Sequence, residues 1–189
     1  MASLLSSCDD ENDENLCAIC LIPLSSGPAA KTPCGHTYHQ ACVAQLDEYK
    51  IEACPLCRTP LPPGPARTFE EAFRRFIPLF YRYGHDATSP WRTLSSTDHE
   101  EMVEVLRMFR DAANQGHAQA TYNMAMACNT GLGDVPRDDL AAIEWYRKAA
   151  EEQDYPPAMN NLANAYILGV AGQKDDAAGL KWMRKVREE

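Results

Sequence analysis

The chain is 189 residues long, 45% hydrophobic and 24% charged, with 18 basic against 27 acidic side chains and a formal net charge of −9. That balance argues against a nucleic-acid binder, whose affinity for phosphate needs a concentrated basic surface. No window approaches the eighteen or so apolar residues that a membrane-crossing helix needs, so a soluble chain with no membrane partner is expected.

Residues 1–15 carry an acidic run from Asp9 to Glu14 after a stretch with no basic flank and a lone Leu4–Leu5 pair. A disordered, solvated tail and no signal peptide are expected. The chain then belongs in the reducing cytoplasm or nucleus, where thiolates persist as metal ligands rather than disulfides.

Residues 16–58 hold Cys17, Cys20, Cys34, His36, His39, Cys42, Cys54 and Cys57. The spacing is C-x2-C-x13-C-x-H-x2-H-x2-C-x11-C-x2-C, and every ligand type is paired with a near neighbour. Structural zinc takes four nitrogen or sulfur ligands in a closed tetrahedron, so eight ligands imply two structural zinc ions. Six thiolates and two such ions would take the net charge from −9 to −11. A disulfide framework is the other use of a Cys-rich segment, and the paired histidines count against it. A segment this short buries too little apolar surface to stand alone, which is the usual reason for a metal staple. Spacing alone leaves open how the four pairs divide between the ions.

The ligand order resembles the RING finger in its double-histidine variant. That resemblance implies interleaved sites: Cys17, Cys20, His39 and Cys42 on one zinc, Cys34, His36, Cys54 and Cys57 on the other. It also implies a ubiquitin-protein ligase that docks a ubiquitin-conjugating enzyme on Ile19, Leu46 and Pro55. Many relatives carry Trp where this chain has Leu46. Arg58 matches the family's linchpin arginine, which bridges the conjugating enzyme and its ubiquitin; a planar guanidinium with five donors suits that task. Catalysis would be by positioning, with a substrate lysine as nucleophile and no covalent intermediate on this chain. The leftover thiols, Cys8 in the polar head and Cys128 at an apolar helix position, lack the His or basic neighbours that activate a nucleophile. A non-enzymatic zinc-binding scaffold is the alternative reading.

Four prolines between Thr59 and Arg67 mark a semi-rigid linker over 59–68. Phe69, Ala72, Phe73, Phe76, Ile77 and Phe80 then recur at helical spacing, with Pro78 expected to kink or end the helix. Arg74, Arg75 and Arg82 read as a solvated face. Thr97 to Glu100 fits a capping box before the apolar Met102, Val105, Leu106 and Phe109. Residues 69–116 are thus a helical region that caps the C-terminal segment.

From residue 117 to 189 the sequence repeats. Ala120–Gly131 aligns with Ala158–Gly169 at a shift of 38, and Trp145–Lys148 with Trp182–Lys185 at a shift of 37. A period near 38 with a pair of helices per unit means an α-solenoid. Its small alanines, Gly131-Leu-Gly133 bend, Asp138 and Trp145-Tyr146 resemble Sel-1-like repeats. In the last copy Gly179 and Val186-Arg187 replace alanines. Such solenoids imply an adaptor for an unknown protein substrate, with Asn123, Met126, Asn160 and Asn164 facing either a groove or solvent. His85, His99 and His117 read as ordinary surface residues. The fold class expected is a small zinc-stabilised α+β finger followed by an all-α helical-repeat solenoid.

Overall fold

The structure is a computed structural model and describes residues 16–83, 94–172 and 174–188. The acidic head, Cys8 and His85 lie outside the described residues. The chain divides into two compact units, one ending at Pro63 and the other beginning at Gly64.

In the first unit, β1 (Ala29–Lys31) and β2 (Thr37–His39) form an antiparallel hairpin with Ala29 opposite His39, Ala30 opposite Tyr38 and Lys31 opposite Thr37. The turn between them needs a left-handed residue and uses Gly35, φ 92°, whose N–H donates to the Thr32 carbonyl at 2.9 Å. His39 ends β2 and is also the N-cap of α1 (Gln40–Glu48). The buried side chains here are Cys17, Cys42 and Cys54 with Tyr38 and Leu46, and the polar Thr32, His39 and Asp47.

Among the described residues, the second unit has six α-helices, each packed on the next in chain order: α2 (Pro65–Tyr83), α3 (Ser96–Asn114), α4 (Ala118–Thr130), α5 (Asp139–Glu151), α6 (Pro156–Leu168) and α7 (Asp176–Glu188). Phe69, Ala72 and Leu79 of α2, Met102, Leu106 and Phe109 of α3 and Met124 of α4 share one core. Ala125 and Cys128 on the other side of α4 share a second with Ile143 and Tyr146 of α5 and Met159 and Leu162 of α6. Alanines on several faces of α4 let it sit between both cores. Gly131 and Gly169 end α4 and α6 in the left-handed conformation, at the repeat shift of 38.

Two boundaries differ from the sequence reading. The helix expected from Phe69 begins at Pro65, so only the first part of the proline-rich 59–68 segment is non-helical; proline is favoured in a first turn, where its missing N–H has no partner to lose. The same helix runs through Pro78 to Tyr83, so of the two outcomes expected of that proline it does not end the helix. The cap of α3 is Ser95 rather than Thr97, its Oγ accepting from the Asp98 N–H at 3.1 Å. Asp98 in turn takes hydrogen bonds from Arg82 and Tyr83 of α2 at 2.8 and 2.6 Å, which fixes the earlier start.

Candidate metal centre

The eight ligand-type side chains gather into two groups: Cys17, Cys20, His39 and Cys42 in one, and Cys34, His36, Cys54 and Cys57 in the other. Within each group the ligand atoms lie within 4.8 Å of one another. A zinc tetrahedron with Zn–S of about 2.3 Å and Zn–N of about 2.0–2.1 Å has S···N edges of about 3.5–3.6 Å. His39 Nδ1 lies 3.3 Å from Cys20 Sγ, and His36 Nδ1 lies 3.5 and 3.6 Å from Cys34 and Cys54 Sγ. These contacts are tetrahedron edges, and the three-sulfur, one-nitrogen donor sets fit two structural zinc ions.

The thiols are electrostatically unequal. Burial pushes Cys17 up, but backbone hydrogen bonds at Cys20, His39 and Ile19 outweigh it and hold the thiol at about 6. A hydrogen-bond contact with the Thr32 hydroxyl leads the influences that bring Cys34 to about 7. Burial opposes ionisation of Cys54 too, and the Tyr38 hydroxyl and backbone contacts at Cys57 and Leu56 overcome it. Cys42 goes the other way, to about 11, through burial and the neighbouring Cys20 and Cys17.

Two knuckles carry four of the ligands, and they are copies of one turn. The Leu21 N–H donates to the Cys17 carbonyl at 2.7 Å, and the Arg58 N–H to the Cys54 carbonyl at 2.8 Å. The Cys17 N–H donates to Ile22 and the Cys54 N–H to Thr59, both at 2.9 Å, and bridges Leu16–Pro23 and Ala53–Pro60 close the two turns. Leu21 and Arg58 hold φ of 60° and 59°, a region that costs a non-glycine residue roughly 1–2 kcal/mol. Matching the two turns residue by residue pairs Ala18 with Pro55, Ile19 with Leu56, and Leu21 with Arg58.

Of the residues expected to dock a partner, Pro55 and Arg58 are exposed and Ile19 is half-buried against the finger's core. Leu46 is not on the surface: it is 5% exposed on α1, so it supports the helix from within. Leu56, 55% exposed, was not singled out from the sequence, although matching Cys-x-Ile-Cys to Cys-x-Leu-Cys would have found it.

In the solenoid, Asn160 and Asn164 are exposed, whereas Asn123 and Met126 are half-buried. Met126 Sδ lies 2.9 Å from the Tyr146 hydroxyl, and Asn161, not Asn160, reaches back to the Tyr122 hydroxyl at 3.3 Å. His117 corrects the reading of a plain surface residue. It caps α4, its Nδ1 accepting from the Ala120 N–H at 3.2 Å, and its ring stacks on Phe69 at 4.4 Å. His99 lies in the first turn of α3. Cys128 is buried, and burial pushes its thiol up. Lys148 over Trp145 at 5.3 Å and Lys185 over Trp182 at 5.6 Å repeat one cation–π contact in successive units.

Comparison with known proteins agrees with this division. Residues 15–58 match the ring finger domain, and residues 118–154 and 156–185 match the Sel1 repeat. The chain is 38% identical over 58 residues to an Arabidopsis thaliana protein named "Probable E3 ubiquitin-protein ligase XERICO", covering 30% of this chain and 35% of that protein. It is 31% identical over 86 residues to chitin synthase regulatory factor 3 of Schizosaccharomyces pombe, covering 45% of this chain and 9% of that one. It therefore spans about a third or less of the curated relatives it matches. The crystal structure of a protective antigen of uropathogenic Escherichia coli displaying an SLR fold superposes with a TM-score of 0.50 at 26% identity, over 77% of this chain and 25% of that one. The chain carries a RING finger with two candidate zinc centres, followed by Sel1 repeats.

Proposed function

We propose that this protein is a ubiquitin-protein ligase whose finger positions a ubiquitin-charged conjugating enzyme and whose Sel1 repeats hold a protein substrate. The observation that carries this reading is the second knuckle. Cys54 and Cys57 enter the second metal cluster, while Pro55, Leu56 and Arg58 between and beside them remain exposed. The metals thereby set a rigid apolar surface next to an outward guanidinium.

In this reading Ile19, Pro55 and Leu56 contact the conjugating enzyme, and Arg58 hydrogen-bonds to that enzyme and its ubiquitin. The lysine amine of the substrate attacks the thioester carbonyl, and the conjugating enzyme's thiol leaves. The finger's contribution is to restrict a loose donor to an attack-ready geometry, an effect whose ceiling in well-oriented systems is several kcal/mol. Both metal centres are filled by protein ligands, so zinc shapes the surface and takes no part in the transfer. Cys128 is buried, which leaves it no surface from which to accept an acyl group.

A single-turnover assay tests the reading: zinc-loaded protein, a panel of ubiquitin-charged conjugating enzymes and free lysine. Accelerated discharge is expected, with loss on Arg58→Ala, loss on chelation, and a rise in the half-saturating enzyme concentration on Leu56→Ala. The burial of Leu46 favours the scaffold reading, since it removes one apolar contact from the docking surface. No acceleration across the panel would establish that scaffold in place of a ligase.

A further inference from the structure

The two metal centres differ in what surrounds their sulfur atoms. Among the described residues, no side-chain hydroxyl touches Cys17, Cys20 or Cys42. The side chain that supports this centre from outside acts on the histidine: His39 Nε2 lies 3.1 Å from Ser26 Oγ and 3.0 Å from the Pro23 carbonyl. Ser26 is exposed.

Around the second centre every sulfur has a hydroxyl neighbour. Tyr38 Oη lies 3.0 Å from Cys54 Sγ, Thr32 Oγ1 3.1 Å from Cys34 Sγ, and Thr59 Oγ1 3.2 Å from Cys57 Sγ. These are not of equal value. The Thr32 hydroxyl also donates to the His36 carbonyl at 2.9 Å, and with one proton it cannot serve both. Thr59 is exposed and exchanges with water. Tyr38, on β2, is completely buried, so its hydroxyl lies beside sulfur and away from water. A metal-bound Cys54 thiolate carries no proton, so the Tyr38 hydroxyl is the donor of this pair.

We propose that Tyr38 is a metal-positioning residue of the second centre, and that the two centres consequently release zinc in order, the Cys17/Cys20/His39/Cys42 centre first. A hydrogen bond to a thiolate withdraws charge from the sulfur and disfavours the proton that would detach it from the metal. Carried on a fully buried ring, the donor also holds the sulfur in its ligating direction. Losing such an outer-shell partner costs metal affinity by about 10- to 100-fold. The inference rests on zinc in both clusters and is independent of ubiquitin transfer.

The full zinc-loaded chain is challenged with excess chelator, alkylated with N-ethylmaleimide at timed intervals, and mapped by peptide mass spectrometry. Cys17, Cys20 and Cys42 are expected to label first, with Cys34, Cys54 and Cys57 following. Tyr38→Phe keeps the ring and removes the donor; it is expected to bring labelling of the second group forward about 10-fold without moving the first. Ser26→Ala is expected to move only the first group. In the cobalt-substituted protein, Tyr38→Phe should also shift sulfur-to-metal charge transfer to lower energy, which a loss of packing alone would not do. Simultaneous labelling of all six thiols, earlier labelling of the second group in the native chain, or an unchanged second phase in Tyr38→Phe would each overturn the proposal.

Discussion

Removing zinc should unfold the finger and leave the solenoid standing. Besides the cysteine ligands, the buried apolar side chains of residues 16–63 are Tyr38 and Leu46, at 0% and 5% exposure. Burying two such side chains contributes about 3–6 kcal/mol, and each ordered residue costs roughly 1–2 kcal/mol of backbone entropy. Structural zinc in small peptides supplies about 10–16 kcal/mol at neutral pH, so the metal outweighs the core. The assay is a two-dimensional amide spectrum of the full chain during chelation, with zinc content followed by atomic absorption. Resonances of residues 16–63 are expected to collapse to the unfolded range, while those of α2–α7 keep their dispersion. Far-UV ellipticity should barely move, because α1 supplies nine helical residues and is the finger's α-helix. A dispersed finger spectrum at zero zinc would refute the reasoning, and collapse of α2–α7 would show that the metal supports more than the finger.

In the solenoid, Phe109→Ala should cost about 3–5 kcal/mol in urea denaturation, because Phe109 is 1% exposed and its ring meets Phe69 at 5.6 Å and Phe76 at 5.9 Å; a loss under about 1 kcal/mol would show that the site collapses around the hole. Gly133→Ala should destabilise by roughly 2–4 kcal/mol, combining the left-handed backbone with overpacking, since φ is 63° and an added Cβ would meet Leu106 Cδ1 at 2.8 Å; a neutral outcome in thermal melts would refute it. Acid should loosen the α2–α3 pair: hydrogen bonds from Tyr83, Arg82 and Ser95 hold Asp98 below its ordinary 3.8, and Arg75 holds Glu101 below its ordinary 4.5. Carboxylates depressed by folding stabilise above their unfolded pKa and lose that contribution as pH falls through the folded one, so stability should decline below about pH 4.5, and Glu101→Gln should flatten that slope.

How much of the fold and of the metal centres was legible in the sequence depended on whether a feature was set by spacing or by contacts. The ligand array, the repeat period of 38 and the glycine ends of α4 and α6 are properties of intervals, and intervals are fixed in the chain before any folding. The start of α3 is not of that kind, because Ser95 and Thr97 are both acceptable caps, and Arg82 and Tyr83 on another helix choose between them through Asp98. His117 had no local sign of its role, since the Phe69 ring it stacks on lies 48 positions earlier in the chain. Leu46 sits at a position where the family docks partners, but whether a leucine there faces inward depends on how far the helix sinks into a core of this size.

The division of ligands between the two zincs looked undetermined by spacing, yet spacing combined with secondary structure does determine it. Successive residues of a strand face opposite sides, so residues two apart share a face and residues three apart do not. His36, the residue just before β2, and Tyr38 within it, two apart, both meet Cys54 Sγ in the second centre, whereas His39, three beyond His36, meets Cys20 Sγ in the first. The chain then turns into α1, where three apart means the same face, and Cys42 joins His39 on the first ion. The same interval of three therefore separates His36 from His39 along an extended segment and unites His39, the N-cap, with Cys42 in the first turns of α1. Had His39 stood one residue earlier, it would have faced the second centre and left the first with three sulfurs. The change from a two-residue to a 3.6-residue period, placed at His39, is what makes the interleaved finger follow from its sequence.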